Sequence, residues 1–246
     1  MKPTPSRFAL GALLAAAVLA TGACTDREAQ RQAQAAAEAQ AREEAASRLQ
    51  GEYEAAVAAN NWELARVHGA ALLAQYPGSE AAAAVEPGLA EVTARAEAAR
   101  EQRRLATLWN YARVAAGKGE QRTAAIFSKD AVDTGGSSAA TVQLVIRDHP
   151  EWKRSAYLVL EGGDFDCYGG CKVKVKFDDA AARPMSAWRP KTDEAIAMFI
   201  EDYRGLWKQM RQAQRLEIEF PVKAGGTRTA VFEVGGLDGS QMPGWD

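Results

Sequence analysis

The spacing of apolar residues changes along this chain, and each spacing predicts a different kind of element. From residue 49 the large apolar residues recur every three or four positions, as expected for one face of a helix, beginning with Leu49, Tyr53 and Val57. A second run of this kind covers 62–76 and is preceded by Asn60-Asn61, which supplies a turn and a helix cap. We therefore predict an antiparallel helical hairpin, and a third helix over 79–108.

Beyond residue 107 the chain consists of short β-rich segments separated by glycine-containing turns. Seven strands are predicted, at 109–115, 122–127, 141–146, 156–160, 171–177, 215–220 and 227–234. One helix is predicted at 192–214, because apolar residues share one helical face there: Ile196, Phe199, Tyr203, Trp207 and Met210. The expected fold class is α+β, with a helical part over 49–107 and an antiparallel, sandwich-like β domain with one packed helix over 108–246.

The stretch from Arg27 to Ser47 contains almost only Ala, Gln, Glu and Arg, without Gly, Pro or a large apolar residue. These are strong helix formers, so a helix is predicted although no apolar stripe is present. We interpret residues 24–48 as an anchor followed by a semi-rigid helical spacer. A coiled coil with an alanine seam, and self-association through it, is the alternative interpretation.

The first 23 residues have the three-part layout of a secretory signal peptide. Lys2 and Arg7 precede an apolar run from Phe8 to Ala20, and small residues follow it. The run is shorter than the roughly 20 apolar residues that cross a bilayer. We therefore expect residues 1–23 to be removed on export.

The segment Leu19-Ala20-Thr21-Gly22-Ala23-Cys24 resembles the lipobox of bacterial lipoproteins, although Thr21 stands where that family usually has Leu. The resemblance implies lipidation of Cys24 and a membrane as partner. It also implies a place in the cell envelope, preferably the periplasmic face of the outer membrane. A soluble periplasmic product is the alternative, because Ala23 is also suited to an ordinary signal-peptidase cut.

The segment from Asn61 to Pro77 resembles the second half of a tetratricopeptide repeat. Trp62, Ala65, Leu72 and Pro77 match the spacing of that repeat, whereas Tyr53 stands where the first half prefers Gly. Arrays of such repeats normally need about three copies, and only one is recognisable. The resemblance implies a single helical unit that binds or presents other chains; an ordinary helical hairpin is the alternative.

The stretch from Trp109 to Leu237 resembles the VasI-like envelope proteins associated with type VI secretion. The resemblance is carried by Trp109, Leu144-Val145-Ile146-Arg147, Phe177-Asp178, Met198-Phe199-Ile200 and Val234-Gly235-Gly236-Leu237. The chain departs from that family in lacking a cysteine close after Arg147. The resemblance implies an accessory role in the envelope.

The chain has three cysteines, an odd number that needs an explanation in an exported protein. Lipidation of Cys24 leaves Cys167 and Cys171, which flank Tyr168-Gly169-Gly170. We predict a structural disulfide between them. A redox-active pair more often has two intervening residues, and a zinc site needs four ligands that the sequence does not supply.

Two sets of residues are candidates for a binding surface. Lys172, Lys174 and Lys176 alternate with the apolar positions of one strand and are expected to line its outer face, where they either bind an anionic partner or are simply solvated. Three tryptophans fall in predicted loops or at the end of the chain, near basic residues: Trp152, Trp188 and Trp245, with Arg154, Arg189 and Lys191 nearby. Trp and Arg are common anchors of protein interfaces, though these residues would equally suit the edge of a core.

Motifs for catalysis are missing from the sequence. It contains only two histidines, His68 and His149, neither of them placed beside a nucleophile, and no phosphate-binding loop or nucleotide fingerprint. Asp164, Asp166 and Asp178-Asp179 lack the ligand spacing of a calcium loop. We therefore expect neither an enzyme nor a cofactor or metal.

The net charge of −2, which becomes two units more negative when the signal peptide is removed, argues against nucleic acid as a partner. The function expected is that of a non-catalytic, membrane-anchored scaffold or binding protein for an envelope or secreted protein. A periplasmic inhibitor or immunity protein that blocks an enzyme is the second hypothesis, and an enzyme with an unrecognised site is the third.

Overall fold

A computed structural model describes the backbone of residues 15–191 and 197–245, and the side chains of the same ranges from residue 27 onward. Two compact units are present, one up to Ala98 and the other from Ala99. Most of the predicted signal peptide, the side chain of Cys24 and the start of the predicted helix 192–214 lie outside the described residues.

The first unit consists of helices. They are α1 (Ala15–Ala58), α2 (Trp62–Gln75) and the first part of α3 (Glu80–Thr107). The predicted hairpin and third helix are thus present, and their apolar faces meet in one core that includes Tyr53, Ala65, Leu72, Val85 and Val92. About half of the buried core residues are alanines, and together with Gly69 they let the helices approach closely. A Cβ atom on Gly69 would lie 2.6 Å from Leu89 Cδ1.

Both ends of α2 follow from local sequence. The side chain of Asn61 accepts a hydrogen bond from the backbone N–H of Leu64, which satisfies one free donor of the first turn. The helix ends at Gln75, before Tyr76 and Pro77, and Gly78 adopts a positive φ of 82°.

The helix predicted for the Ala-rich stretch is part of α1. Every described side chain from residue 27 to residue 42 is exposed, and burial begins only near Ala46. Sixteen helical residues extend about 24 Å. This part of α1 therefore makes no core contact within the described part of its unit.

In its described residues the second unit contains nine strands, a short helix and the end of α3. The strands are β1 (Trp109–Ala116), β2 (Gly119–Phe127), β3 (Val142–His149), β4 (Lys153–Leu160), β5 (Cys171–Phe177), β6 (Arg183–Trp188), β7 (Ala197–Ile200), β8 (Arg215–Pro221) and β9 (Thr227–Glu233). The helix is α4 (Tyr203–Met210), and 3₁₀ turns follow at Val234–Gly236 and Gly239–Gln241. The α+β class is therefore correct. All seven predicted strands are present, and none of their ends differs from the predicted end by more than three residues.

The nine strands form a single antiparallel sheet in the order β1-β2-β3-β4-β7-β6-β5-β8-β9. Side chains from both halves of the sheet share one core, among them Leu144, Leu158, Phe220 and Phe232. The backbone N–H of Lys129, just after β2, donates to the carbonyl of Val231 in β9. The sheet thus curves around its core, so that the two packed layers expected of a sandwich belong to one continuous sheet.

The end of α3 packs within this second unit. The side-chain amide of Gln102 donates to the carbonyl of Gly235, and Arg104 forms an ion pair with Glu233 at 2.8 Å. The predicted boundary between residues 107 and 108 coincides with the end of α3. The compact units divide earlier, within that helix.

The predicted helix 192–214 is wrong over much of its length. Residues 197–200 form β7, which pairs with β4 and with β6, and α4 is only eight residues long. Met198 and Ile200 are buried while Phe199 is on the opposite face, so the burial has the period of a strand. The side chain of Asp202 accepts from the N–H of Gly205 and begins α4 after this strand. Strand β6, which includes Pro184, was not predicted.

Candidate binding surface

An open groove of about 490 Å³ lies on the face of the sheet that points away from the core. Strands β3, β4, β6 and β7 each contribute one residue from this outer face, because alternate residues of a strand project from opposite faces. The lining also reaches the core residue Ile200 at the end of β7. The hairpin turn between β3 and β4 and the start of α4 complete it. Its lining residues are Arg147, Trp152, Arg154, Ser155, Trp188, Phe199, Ile200, Glu201 and Tyr203.

A row of aromatic rings runs from strand to strand, and two of its members, Trp188 and Phe199, line the groove. Trp188 of β6 is paired with Phe199 of β7, and Phe199 is paired with Tyr157 of β4. The rings of Trp188 and Phe199 are stacked with centroids 4.8 Å apart, and those of Phe199 and Tyr157 are 5.0 Å apart and tilted. Trp188 remains 42% exposed. The sheet therefore presents a large aromatic surface whose position is fixed by strand pairing.

Trp152 stands at the other side of the groove and is held in place by its own turn. Its ring stacks on the imidazole of His149 at 4.1 Å, and the Nδ1 atom of His149 accepts from the backbone N–H groups of Glu151 and Trp152. The guanidinium of Arg147 lies 5.2 Å from the ring centroids of both Trp152 and Tyr157. Trp152 is nevertheless 65% exposed. An aromatic side chain that is both fixed and exposed loses little conformational entropy when a partner covers it.

Two polar atoms of the groove lining are buried without a hydrogen-bond partner in the described part of the chain, Arg147 Nε and Ser155 Oγ. Such atoms are uncommon in folded proteins and each weakens stability by about 1–3 kcal/mol. Burial raises the pKa of the Tyr157 phenol, an effect that the charge of Arg147 partly offsets, so the phenol is protonated at neutral pH. The described lining of the groove thus combines aromatic area with guanidinium groups.

The lysine row lies on the outer face of β5, as the alternation predicts. Each lysine contacts a side chain on a neighbouring strand. Lys172 Nζ donates to Ser186 Oγ at 2.7 Å, Lys174 Nζ to Glu219 Oε1 at 2.8 Å and Lys176 Nζ to Glu217 Oε1 at 3.3 Å. Glutamates of β8 therefore balance two of the three lysine charges. Contacts between neighbouring strands are thus sufficient to explain the lysine row.

Arg189 follows the second of its two predicted roles, at the edge of the core, and is not an exposed anchor. The residue is only 4% exposed, its Nε atom lies 2.6 Å from Asp164 Oδ1, and its guanidinium covers the ring of Tyr168. Asp164 also pairs with Lys223. Arg189 is buried because it neutralises Asp164 beside the disulfide turn. Trp245 is buried as well, against Trp207 and Tyr203.

The sulfur atoms of Cys167 and Cys171 lie at disulfide distance, 2.03 Å apart, as the sequence predicts. Gly169 and Gly170 between them both have positive φ, and the turn leads directly into β5. The pair is thus placed to close a turn.

Among residues whose side chains are described, no three His, Cys, Asp or Glu residues are grouped so that they could hold a metal ion. No helix in the described ranges has the length and apolar character needed to cross a bilayer. The lipidation of Cys24 remains a prediction, since its side chain is outside the described part.

Sequence reasoning found Trp152 and Trp188 but missed Arg147, Tyr157 and Phe199. Tyr157 carried a usable signal, since it stands between the core residues Ala156 and Leu158 and must face outward if β4 is a strand. Phe199 was assigned to a helix.

Comparison with models of protein families, with curated proteins and with solved structures finds no match to this chain.

Proposed function

We propose that this protein is a non-catalytic binding protein of the bacterial cell envelope, anchored by a lipid on Cys24, and that the groove between Trp152 and Trp188 docks a partner protein. The observation that carries the proposal is the pair of exposed indoles held rigidly on either side of one groove. Tryptophan and arginine dominate the energetic centres of protein interfaces. The groove supplies both residue types together, at Trp152, Trp188 and Arg147.

The anchor and the spacer support this function. A signal-peptide-like start and a lipobox-like segment before Cys24 would deliver the chain to the envelope. The exposed portion of α1 from residue 27 to residue 42 fits a spacer between a lipid and the folded units. An anchored binding protein needs such a spacer in order to reach partners away from the lipid surface.

The anchor is tested by replacing Cys24 with Ala. Wild-type protein should sediment with membranes and incorporate labelled palmitate in cells, whereas Cys24→Ala should do neither. Cys167→Ser/Cys171→Ser is the matched control because it also removes cysteines but should keep the label. Unlabelled wild-type protein, or a Cys24→Ala variant that stays in membranes, would refute the lipid anchor.

The binding function is tested by photo-crosslinking and affinity capture from solubilised envelopes with the full chain. Trp152→Ala and Trp188→Ala should each lower recovery of a specific protein by about tenfold, the effect expected when an interface anchor worth more than 1 kcal/mol is lost. Phe127→Ala is the matched control, because Phe127 is 46% exposed but lies outside the groove. Equal recovery by all three variants would exclude the groove as the docking site.

A further inference from the structure

A second cavity, of about 560 Å³, lies beside α4 and is separate in its chemistry from the aromatic groove. Its lining includes four cationic side chains and two tryptophans: Arg154, Arg204, Lys208, Arg211, Trp207 and Trp245. No described lining residue is acidic. The volume is in the range of about 300–1,000 Å³ that small-molecule sites occupy.

The charges of α4 are concentrated on the side that faces this cavity. Arg204, Lys208 and Arg211 are spaced by four and three residues, so they share one helical face. Like charges at this spacing repel each other. Arg204 is also in the first turn, where the helix dipole favours an acid, and α4 has no acid there. Apart from the N-cap Asp202, α4 contributes no acid to this face, so Arg204 and Lys208 together give it a local positive potential.

Two nearby carboxylates, Asp202 and Asp148, have partners of their own. Asp202 accepts the hydrogen bond from the Gly205 N–H that begins α4, and Asp148 pairs with Arg154 at 3.1 Å. Within the described part of the chain, neither Arg204 nor Lys208 has a carboxylate within ion-pair distance. Both side chains are exposed and are therefore available to an anion that enters the cavity.

The opposite wall is apolar and well fixed. Trp207 and Trp245 are almost completely buried, with ring centroids 5.2 Å apart, and Tyr203 packs edge-on against Trp245 at 5.6 Å. The guanidinium of Arg154 lies 5.7 Å from the ring centroid of Trp245. A ligand would therefore meet the exposed edges of two rigidly packed indoles on one side and long cationic side chains on the other.

We propose that this cavity binds a small organic anion, a compact apolar or aromatic body bearing a carboxylate or phosphate. The apolar body packs against Trp207 and Trp245, while the anionic group accepts charge-assisted hydrogen bonds from Arg204 and Lys208. This site is additional to the docking of a partner protein in the groove. The two sites share Arg154 as a lining residue, so Arg154 is left unchanged in the test.

The test uses calorimetric titration of the full chain with 2-naphthoate and with its uncharged isostere 2-naphthamide. Naphthoate should bind saturably and at least about tenfold more tightly than naphthamide, because only the carboxylate can accept charge-assisted hydrogen bonds. Equal affinity for the two compounds, or no saturable binding of naphthoate, would overturn the proposal. So would displacement of naphthoate by an equal concentration of inorganic phosphate, because the apolar body would then contribute nothing.

The residues are tested with Arg204→Gln/Lys208→Gln, which should weaken naphthoate binding by at least about tenfold. The matched control is Arg103→Gln/Lys118→Gln, which removes the same charge from two exposed positions outside the cavity and should leave affinity within about twofold. Circular dichroism confirms that both variants are folded. Unchanged binding in the first variant, or equal loss in both, would contradict the assignment.

The groove for a partner protein and the anion site beside α4 can be disproved independently of each other. Trp152→Ala and Trp188→Ala should leave naphthoate affinity unchanged, because neither residue lines the α4 cavity. Arg204→Gln/Lys208→Gln should leave capture of the partner protein unchanged. Loss of naphthoate binding in the Trp188 variant would show that the α4 cavity is not an independent site.

Discussion

The indole of Trp188 stacks on the ring of Phe199 with an angle of 16° between their planes, although the two residues come from different strands that pair over only two residues. Phe199 in turn contacts Tyr157 on β4. This row lies on the face of the sheet opposite the core, where aromatic side chains are not required to fill a protein interior. It gives the groove its aromatic surface.

The first prediction separates the stabilising role of an exposed tryptophan from that of a buried one. Trp188→Ala should lower the free energy of unfolding by about 1 kcal/mol, the value of an aromatic pair. Trp207→Ala should lower it by about 3–5 kcal/mol, because Trp207 is only 1% exposed and its removal leaves a cavity. Urea unfolding followed by circular dichroism measures both. If the Trp188 variant loses as much stability as the Trp207 variant, the groove aromatics are part of the structural core.

The second prediction concerns the disulfide turn. Cys167 and Cys171 are four residues apart, so the bond closes a short loop. The chain-entropy relation for such a loop gives about 2 kcal/mol of stabilisation. Cys167→Ser/Cys171→Ser should lose about this free energy of unfolding in urea. Wild-type protein in excess dithiothreitol serves as the control and should behave like the variant. Equal stability of oxidised and reduced wild-type protein would contradict the prediction.

The third prediction concerns pH and the ion pair between Arg104 and Glu233. The hydrogen bond from Arg104 holds the pKa of Glu233 below its ordinary value of 4.5. A carboxylate with a lowered folded pKa stabilises the fold above the unfolded pKa, and this contribution disappears as the pH falls through the folded pKa. Arg104→Gln should therefore be less stable than wild type at pH 7, and the difference should shrink below about pH 4.5.

Urea unfolding at neutral and acid pH measures this difference. Arg103→Gln is the control, since it removes a neighbouring positive charge from an exposed position of the same helix. The difference in unfolding free energy between Arg103→Gln and wild type should not change as Glu233 is protonated. A gap between Arg104→Gln and wild type that is equally large at pH 7 and pH 3 would be inconsistent with the pKa shift.

The fourth prediction compares two glycines that both have positive φ. A Cβ atom on Gly163 would lie 2.0 Å from the carbonyl oxygen of Thr134, whereas one on Gly169 would meet nothing within 4 Å. Gly169→Ala should lower the free energy of unfolding by about 1 kcal/mol, which is the cost of holding a residue with a Cβ atom at positive φ. Gly163→Ala should lower it by at least about 2 kcal/mol more, because the backbone of the Thr134 loop must move. Comparable thermal and urea unfolding of the two variants would contradict the steric argument.

The sequence by itself determined the elements that depend on local patterns. Helix α2 followed from its apolar spacing and the cap at Asn61, and β5 from strict alternation between Cys171 and Phe177. The pairing of Cys167 with Cys171 also followed, since a short turn with two glycines brings the sulfur atoms together. In each case the decisive interactions join residues that are close in the chain.

Only the tertiary structure decided the rest. Residues 197–200 carry apolar side chains that suit a helix as well as a strand, and they form β7 because β4 and β6 satisfy their backbone hydrogen bonds. The burial of Arg189 required Asp164, which lies far from it in the sequence. The groove itself depends on Trp152, Trp188 and Phe199 being brought together by strand order. That order is set by long-range pairing and shared burial, which no local spacing encodes.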